Sequence, residues 1–275
     1  MHRRPMVIAN WKMHTTLAEA EILARRVFKV AEHVDDLDIV LLPPVIWLPS
    51  LLESLHHRPR GLHFGVQNFY PQAEGDVTGE IGTAMLKGLA EYVLIGHSDR
   101  RLHFGETNEE INKKVQVALS SGFRPIICVG ELTQVMLKEK GRGRPTVLER
   151  KSDVLAQLKT ALAGLADQRV EHLVICYEPL WAIGTGNNVS GPHVEAVLEQ
   201  LRDYLASAFS PSVAERIRLI YGGSVNPSTI AEYLSQPNID GVLVGKAALT
   251  TQTFLPIIEA VADRSHHLIQ HPDHR

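Results

Sequence analysis

The 275-residue chain has little cysteine, no excess of positive charge and no long apolar run, and each shortage excludes a class of protein. Its two cysteines, Cys128 and Cys176, lie in apolar runs, which fits a reducing compartment better than a disulfide framework. A formal net charge of -3 argues against a nucleic-acid partner. No apolar run approaches the roughly 18 residues of a membrane-spanning helix, and the one after Pro5 is too short for a signal peptide. We therefore expect a cytoplasmic protein without a membrane partner.

What is present is an ordinary globular composition, with 44% hydrophobic and 21% charged residues and no stretch that resembles a linker. We predict one domain over residues 1–275, with its core at about 6–262 and a short flexible tail at 265–275. Four histidines in the tail are compatible with a metal-binding tract, but a solvated terminus is the favoured interpretation.

Short apolar runs alternate with amphipathic helical patterns eight times along the chain, which is typical of βα units. The predicted strands are 6–10, 38–42, 62–66, 92–95, 125–129, 173–177, 218–221 and 241–244. The clearest predicted helices are 17–30, 108–121, 146–165, 194–208 and 227–234, the last with Asn226 as N-cap, and 139–144 is predicted to be a solvated loop. Eight parallel strands predict an α/β protein of the (β/α)8 barrel class.

Polar and glycine residues follow five of the eight predicted strands. They are Asn10 and Lys12 after the first strand, His97 after the fourth, Glu178 after the sixth, Gly222, Gly223 and Ser224 after the seventh, and Gly245 and Lys246 after the eighth. Each alone has a simpler interpretation as a surface charge, a structural histidine or a turn. Because the carboxyl ends of parallel strands form one face of a barrel, their coincidence predicts a functional site there.

The segment 177–186 reads Tyr-Glu-Pro-Leu-Trp-Ala-Ile-Gly-Thr-Gly and places Glu178 where a buried strand ends. Proline stiffens the entry to the following loop, the apolar side chains give it a body, and Gly184 lets its backbone approach a ligand. We predict that 179–189 forms a lid over the site.

The glycine-rich corners after the sixth, seventh and eighth strands offer unobstructed backbone N–H groups, which predicts an anion site. Lys12 adds a cation, and two unit charges about 4 Å apart attract by roughly 4 kcal/mol at an effective dielectric near 20. A phosphate after strands seven and eight is usual in phosphate-binding barrels.

The remaining groups suit proton transfer at a carbon next to a carbonyl. Glu178 would take the proton, a neutral His97 would donate a hydrogen bond to the developing enediolate oxygen, and Lys12 would stabilise the negative charge. No serine or cysteine arrangement suggests nucleophilic catalysis instead.

These motifs resemble the triosephosphate isomerase family over about 6–262. The similar segments are 10–13 (Asn-Trp-Lys-Met), 96–101 (Gly-His-Ser-Asp-Arg-Arg), 177–186 and 221–225 (Tyr-Gly-Gly-Ser-Val). The resemblance implies a TIM barrel that interconverts dihydroxyacetone phosphate and glyceraldehyde 3-phosphate in glycolysis and gluconeogenesis, without a metal or organic cofactor. Enzymes of this family use a glutamate base and a neutral histidine, so those roles are carried over by resemblance.

The resemblance also implies a homodimer. The segment 67–82 is similar to the family's interdigitating third loop, in which Thr78 would reach the partner's active site. Glu106 would support the lysine and the histidine, and Ser98 and Asp99 belong to the histidine motif.

The chain departs from the family's usual pattern at several positions. Asp99 replaces a glutamate, Asn187 replaces a lysine at the far hinge of the lid, and Lys246 replaces a glycine. The connection from Cys128 to Glu178 is also longer than usual. Lys246 either faces solvent and supplements the phosphate charge, which we favour, or retunes the site for another ketose phosphate such as a tetrulose phosphate.

Two other classes are disfavoured. A nucleotide-binding protein would need four residues between its P-loop glycines, whereas 241–246 has three, and 184–186 lacks the third glycine of a dinucleotide fingerprint. A non-catalytic phosphate-binding barrel would have no need of base, electrophile and lid together.

Overall fold

The computed structural model of the protein describes residues 3–131, 153–166, 170–181 and 189–270, with the backbone alone for 153 and 265–270. The predicted loop 139–144, the beginning of the predicted helix 146–165 and most of the predicted lid lie outside these ranges. Two of the tail's histidines, at 271 and 274, do so as well, and the side chains of the other two, at 266 and 267, are not described. The tail and the domain bounds therefore stay predictions.

Eight parallel strands close into a barrel in which each strand pairs with the next and the eighth pairs with the first. They are β1 (Met6–Asn10), β2 (Asp38–Leu42), β3 (Leu62–Val66), β4 (Tyr92–Ile95), β5 (Arg124–Val129), β6 (Val174–Tyr177), β7 (Arg218–Tyr221) and β8 (Gly241–Val244). The predicted (β/α)8 barrel is confirmed, with boundary differences of one residue at the starts of β5 and β6.

Helices follow the strands around the outside of the barrel. They are α1 (Leu17–Ala31), α2 (Leu48–Ser54), α3 (Thr83–Leu86), α4 (Ser98–Phe104), α5 (Asn108–Ser120), α6 (Asp153–Ala161), α7 (Gly191–Ala208), α8 (Pro211–Ala214), α9 (Ile230–Leu234) and α10 (Thr251–Gln270). Short 3₁₀ turns occur at Val45–Trp47 and Lys246–Leu249.

The prediction that a helix begins at Pro227 was wrong by three residues. Asn226 Oδ1 accepts hydrogen bonds from the N–H groups of Ser228 (2.9 Å) and Thr229 (3.2 Å), as an N-cap side chain does. These bonds hold 227–229 as a turn, so regular helix starts only at Ile230. In the opposite sense, α7 begins at Gly191, three residues before the predicted start at Val194.

The strands are buried on both faces, as expected for a parallel sheet covered by helices. Alternate residues such as Ile8, Leu94 and Ile220 form one buried cluster, and their neighbours form a second cluster with the helices. Cys128 and Cys176 are buried free thiols and register partners on β5 and β6. Within the described ranges, no helix is long and apolar enough to cross a membrane.

Candidate active site

A cavity of about 540 Å³ opens at the carboxyl ends of the strands. Of the residues predicted for the site, Asn10, Lys12, His97, Ser224, Gly245 and Lys246 line this cavity. They come from the ends of four different strands, β1, β4, β7 and β8. The barrel therefore brings together groups that are far apart in the sequence, as the coincidence of polar residues at strand ends predicts.

Lys12 occupies a strained backbone conformation at the mouth of this cavity. Its φ of 52° lies in the left-handed region, which costs energy for any residue with a Cβ. Asn10 Oδ1 accepts a hydrogen bond from the Lys12 N–H (3.0 Å), and Gln67 Nε2 donates to the Lys12 carbonyl (2.9 Å). Gln67 was not predicted as a site residue, because its role depends on a contact between β1 and the loop after β3 that no local pattern signals.

The Lys12 ammonium is held next to Asp99. Lys12 Nζ lies 3.0 Å from Asp99 Oδ2, so the shorter acid still reaches the lysine. Partial burial raises the pKa of Asp99, but the neighbouring His97 and the hydrogen bond and charge of Lys12 outweigh it and hold the pKa below its usual value. Asp99 is therefore ionised at neutral pH and fixes the position of the cation.

His97 caps the amino end of α4. Its Nδ1 accepts a hydrogen bond from the Asp99 N–H (3.1 Å), so the ring proton resides on Nε2. Nε2 lies 3.6 Å from Glu178 Oε1, and the residue also lines the cavity. His97 therefore connects the carboxylate to the space in which a ligand would lie, with an N–H group available to donate.

Glu178 follows β6 and is only 1% exposed. Its Oε2 accepts a hydrogen bond from the Ser98 N–H (3.1 Å), and the carboxylate does not itself line the cavity. The Glu178 N–H donates to the Val129 carbonyl (2.8 Å), which extends the β5 and β6 pairing by one residue. Glu178 must therefore turn away from Ser98 to enter the cavity.

Glycine is required at two places where the backbone passes close to Glu178. A Cβ on Gly130 would lie 1.8 Å from the Glu178 carbonyl oxygen, and one on Gly222 would lie 2.8 Å from Glu178 Cγ. The next residue is similarly confined, because a Cβ on Gly223 would lie 2.0 Å from the Tyr221 hydroxyl. Close packing of backbone and carboxylate therefore explains part of the glycine pattern after β5 and β7.

The loop after β7 presents free amides to the cavity. Among the described residues, the N–H groups of Gly223 and Ser224 donate to no backbone or side-chain acceptor, and both residues line the cavity with Gly245. Lys246 is an exposed residue on the same lining. Backbone donors with two lysines nearby form a site suited to an anion such as phosphate.

The first residues of the predicted lid are anchored by Glu131, a residue that the sequence did not single out. Glu131 Oε1 accepts hydrogen bonds from the Tyr177 hydroxyl (2.9 Å) and from Trp181 Nε1 (2.8 Å). Burial and the Glu131 charge raise the pKa of Tyr177, so its phenol stays protonated as a donor. At the far end, the Tyr233 hydroxyl donates to the Val189 carbonyl (2.9 Å), whereas Gly184 and Asn187 lie outside the described residues.

Glu106 lies in a different environment from the one the resemblance implies. It forms a buried ion pair with Lys114, and Arg100 Nε is 3.8 Å from its Oε1. Lys114 Nζ also donates to Asn68 Oδ1 (2.7 Å), which ties the base of the 67–82 loop to α5. The structure therefore brings Glu106 together with Lys114 and Arg100 rather than with Lys12 or His97.

Thr78 does not line the cavity. It lies in the 67–82 loop, in which residues 72–80 are all exposed. Two backbone hydrogen bonds close the loop at its base: the Tyr70 N–H donates to the Ile81 carbonyl (2.9 Å), and the Thr83 N–H donates to the Gln72 carbonyl (3.0 Å). It therefore projects from the barrel as a formed element.

Metal-ligating side chains come together once in the described part of the chain. Cys128, Cys176 and Glu178 are buried with their ligand atoms within 4.8 Å of one another. Burial raises the pKa of both thiols, which keeps them protonated. Because only thiolates bind metals well, this group is better described as part of the barrel interior beneath Glu178.

The fold and the cavity define a barrel enzyme that acts on a small phosphorylated molecule. Comparison with known sequences identifies which one: the family model for triosephosphate isomerase matches residues 5–261, and the chain belongs to this family. Proteins named triosephosphate isomerase from Dictyoglomus thermophilum and Chloroflexus aurantiacus are 40% and 38% identical over 259 and 257 residues. These matches cover 94% and 93% of this chain, and 100% and 98% of the two relatives.

Proposed function

We propose that Glu178, His97 and Lys12 carry out the isomerisation in this protein. As a member of its family, the protein is an intramolecular aldose-ketose isomerase that interconverts dihydroxyacetone phosphate and D-glyceraldehyde 3-phosphate. The observation that carries the assignment is the position of His97, which lines the cavity with Lys12 and lies 3.6 Å from the Glu178 carboxylate.

Substrate binding begins with the phosphate. The free N–H groups of Gly223 and Ser224, with the backbone of Gly245, would donate hydrogen bonds to its oxygens, and Lys12, whose Cε would lie 3.6 Å from a Cβ on Gly245, would supply a positive charge next to them. Asn10 supports this arrangement indirectly through its hydrogen bond to the Lys12 backbone. The phosphate therefore orients the carbon chain toward His97.

Proton transfer then takes place next to the carbonyl. Glu178 turns from the Ser98 N–H into the cavity and removes a proton from carbon, while His97 Nε2–H donates to the carbonyl oxygen. Negative charge develops on this oxygen in the enediolate, and the Lys12 ammonium stabilises it. A proton must also move from one enediolate oxygen to the other, a transfer that His97 Nε2 would mediate, and return of the carbon proton from Glu178 to the neighbouring carbon then completes the aldose-ketose interconversion.

The 179–189 segment, the lid, would close over the bound substrate, with Gly184 contributing a backbone N–H to the phosphate. Its two described ends support this role, because Trp181 is held by Glu131 and Val189 by Tyr233. Closure excludes water, which strengthens the electrostatic interactions of the enediolate and protects it from loss of phosphate.

The test of this assignment is Glu178→Gln, which keeps the size of the side chain and removes the base. We expect turnover of glyceraldehyde 3-phosphate in a coupled assay to fall by about 10² to 10⁴. Binding of inorganic phosphate should survive, because its ligands are elsewhere in the cavity. Glu259→Gln, at an exposed position on α10, is the matched control. Turnover of the Glu178 variant within tenfold of wild type would remove Glu178 from the mechanism.

A four-carbon ketose phosphate such as a tetrulose phosphate is the alternative substrate class, and Lys246 is the residue at which the two classes are distinguished. Its side chain is exposed at the lining of the cavity and places another cation beside the phosphate site. The two substrates are compared directly by measuring kcat/KM for glyceraldehyde 3-phosphate and for four-carbon analogues. A ratio above one in favour of the four-carbon substrate would support the second class.

A homodimer is the proposed assembly. The exposed 72–80 loop and several exposed apolar side chains support it, since large apolar residues in contact with water mark association surfaces. These are Met13 (95% exposed), Phe104 (69%), Ile46 (67%) and Met85 (58%). Sedimentation of the wild type and of Met13→Asp tests the proposal, because a charge in an apolar interface should shift a dimer toward monomer.

We also propose a cytoplasmic location, which the two buried free thiols support.

A further inference from the structure

A second cavity, of about 350 Å³, lies at the opposite end of the barrel. Its residues stand at or just before the first residues of β1, β2, β5, β6 and β7, which places the cavity on the amino-terminal face. It shares no lining residue with the active-site cavity. The volume falls within the range of about 300 to 1,000 Å³ that small-molecule sites occupy.

The lining of this cavity is rich in arginine. Five guanidinium groups face three carboxylates, an excess of two positive charges if the histidine is neutral. The arginines are Arg3, Arg4, Arg124, Arg216 and Arg218, and the acids are Asp38, Glu171 and Glu215. A protein of net charge -3 thus concentrates positive charge at one concave place.

The acids hold the arginines in place without matching their number. Asp38 Oδ2 is 2.6 Å from Arg218 Nη1, and Asp38 Oδ1 is 3.0 Å from Arg4 Nε, so one carboxylate serves two guanidinium groups. Glu171 and Glu215 pair with Arg216 (2.8 Å) and Arg3 (2.6 Å), and Arg3 Nε also lies 2.7 Å from Asp240 Oδ1, an acid outside the lining that Arg202 shares. The guanidinium groups are therefore oriented before any ligand arrives, which lowers the entropy cost of binding.

Arg124 is the exception in this network. Its Nη1 donates to the Tyr92 hydroxyl (3.2 Å), which also accepts from Arg218 Nη2 (3.2 Å). Among the described residues no carboxylate oxygen lies within 4.0 Å of the Arg124 guanidinium group. Its charge acts on Glu91 only at longer range, so its remaining N–H groups can donate to a ligand in the cavity.

We infer that this cavity binds a small multivalent oxyanion, namely pyrophosphate or the phosphate chain of a nucleotide. Guanidinium groups bind phosphate oxygens with paired, charge-assisted hydrogen bonds, and several of them converging on one space suit an anion with more than one negative charge. A diphosphate offers more oxygens to the five guanidinium groups than a single phosphate does, so it can bind several of them at once. This cavity is separate from the active-site cavity, so a result that overturns the inference would leave the proposed isomerase mechanism unaffected.

The test is the double variant Arg124→Gln/Arg216→Gln, with Arg26→Gln as the control of matched type. Arg124 and Arg216 are exposed at the edge of the cavity, and Arg26 is exposed on α1 outside either cavity. Pyrophosphate is titrated calorimetrically into each protein at low ionic strength, where surface electrostatics are least screened. Turnover of glyceraldehyde 3-phosphate, and its inhibition by pyrophosphate, report the active-site cavity separately.

We expect the wild type and Arg26→Gln to bind pyrophosphate at a site beyond the one that inhibits turnover. The double variant should bind there at least tenfold more weakly, since loss of one charge-assisted hydrogen bond already costs about that factor. Its kcat, KM and inhibition constant should not change. Where the double variant melts earlier, Arg124→Gln alone carries the test, because it breaks no ion pair.

Three results would overturn the inference. Equal binding of pyrophosphate by the wild type and the double variant would show that Arg124 and Arg216 do not form the site. An equal loss of binding in Arg26→Gln would indicate general charge attraction. Absence of a second binding event in the wild type would show that the arginines have a purely structural role. A parallel titration with ATP distinguishes the two ligand sources. Binding of ATP that disappears in the double variant identifies a nucleotide, and pyrophosphate binding without it identifies the free anion.

Discussion

The two faces of the barrel use charge in opposite ways. At the carboxyl face, Lys12 is paired with Asp99, the cavity has glycine and serine amides in its lining, and the His97 imidazole lies beside the buried Glu178 carboxylate. At the amino face, arginines and acids are packed in pairs. The carboxyl face therefore keeps hydrogen-bond donors free for a ligand, whereas most charges at the amino face are paired within the protein.

The difference has an energetic meaning. Buried polar groups with few internal partners lower the stability of the fold but are available for function. A satisfied ion pair lowers the stability mainly when one of its partners is removed. We therefore expect substitutions at the carboxyl face to affect turnover and substitutions at the amino face to affect folding. The following four experiments test that division, from the largest expected effect to the smallest.

Asp38→Asn should produce the largest loss of stability. It leaves the Arg218 guanidinium, whose side chain is 14% exposed, without its carboxylate partner, and such a loss costs about 3 to 5 kcal/mol. Urea unfolding at fixed protein concentration measures the change, with exposed Asp263→Asn as the control. Turnover per folded molecule should stay at the wild-type value. A loss below about 1 kcal/mol would contradict a structural role for this pair.

His97→Leu should lower kcat by about 10² to 10³, equivalent to roughly 2.7 to 4 kcal/mol, because a leucine cannot donate to the enediolate oxygen. Stability should fall by only about 1 kcal/mol, since the Asp99 N–H loses its acceptor at the start of α4. Steady-state kinetics and thermal unfolding are measured on the same samples. His103→Leu, exposed on the same helix, should leave kcat unchanged, and an equal drop there would point to distortion of α4.

Acid titration should reveal Asp38 as a source of stability. Burial raises the pKa of Asp38, but the His63 hydrogen bond and the charges of Arg218 and Arg4 outweigh it and lower the pKa from 3.8 to about 2. A lowered pKa stabilises the folded state above the unfolded pKa, and this contribution is lost as the pH falls through the folded one. The wild type should therefore lose roughly 2 to 3 kcal/mol from this group between about pH 5 and pH 1. The unfolding free energies of the wild type and Asp38→Asn should converge over this interval; parallel curves would contradict the assignment.

Lys246→Gly should have the smallest effect. If the lysine only supplements the phosphate charge, turnover of glyceraldehyde 3-phosphate stays within about tenfold of wild type, or roughly 1.4 kcal/mol. The kcat/KM values for three- and four-carbon substrates are measured together. A loss greater than tenfold, or a reversal of preference between the substrates, would make Lys246 a specificity determinant.

Periodicity was sufficient to predict the barrel. The strands read as short apolar runs because both faces are buried, and the ends of β7 and β8 agree with the structure to the residue. The start of α9 was missed because Asn226 caps a turn that precedes the helix, a distinction that depends on backbone geometry rather than on residue type.

The site was predictable where it depends on strand ends and not where it depends on contacts across the barrel. Lys12, His97 and Ser224 follow strands, so a parallel barrel necessarily brings them to one face. The contacts of Gln67 with Lys12 and of Glu106 with Lys114 join segments whose distance is set by packing. The arginine cavity is of the same kind, since its members come from the beginnings of several strands and share no motif.

The hydrogen bond from Trp181 to Glu131 gives the protein an intrinsic optical reporter. Indole emission depends on the polarity and hydrogen bonding of its ring, and this ring stands at the beginning of the proposed lid. The other two indoles, Trp11 and Trp47, lie outside this segment, and Trp11 is fully buried. Replacing those two with phenylalanine would leave a single fluorophore, so that movement of the hinge could be followed in real time without an attached dye.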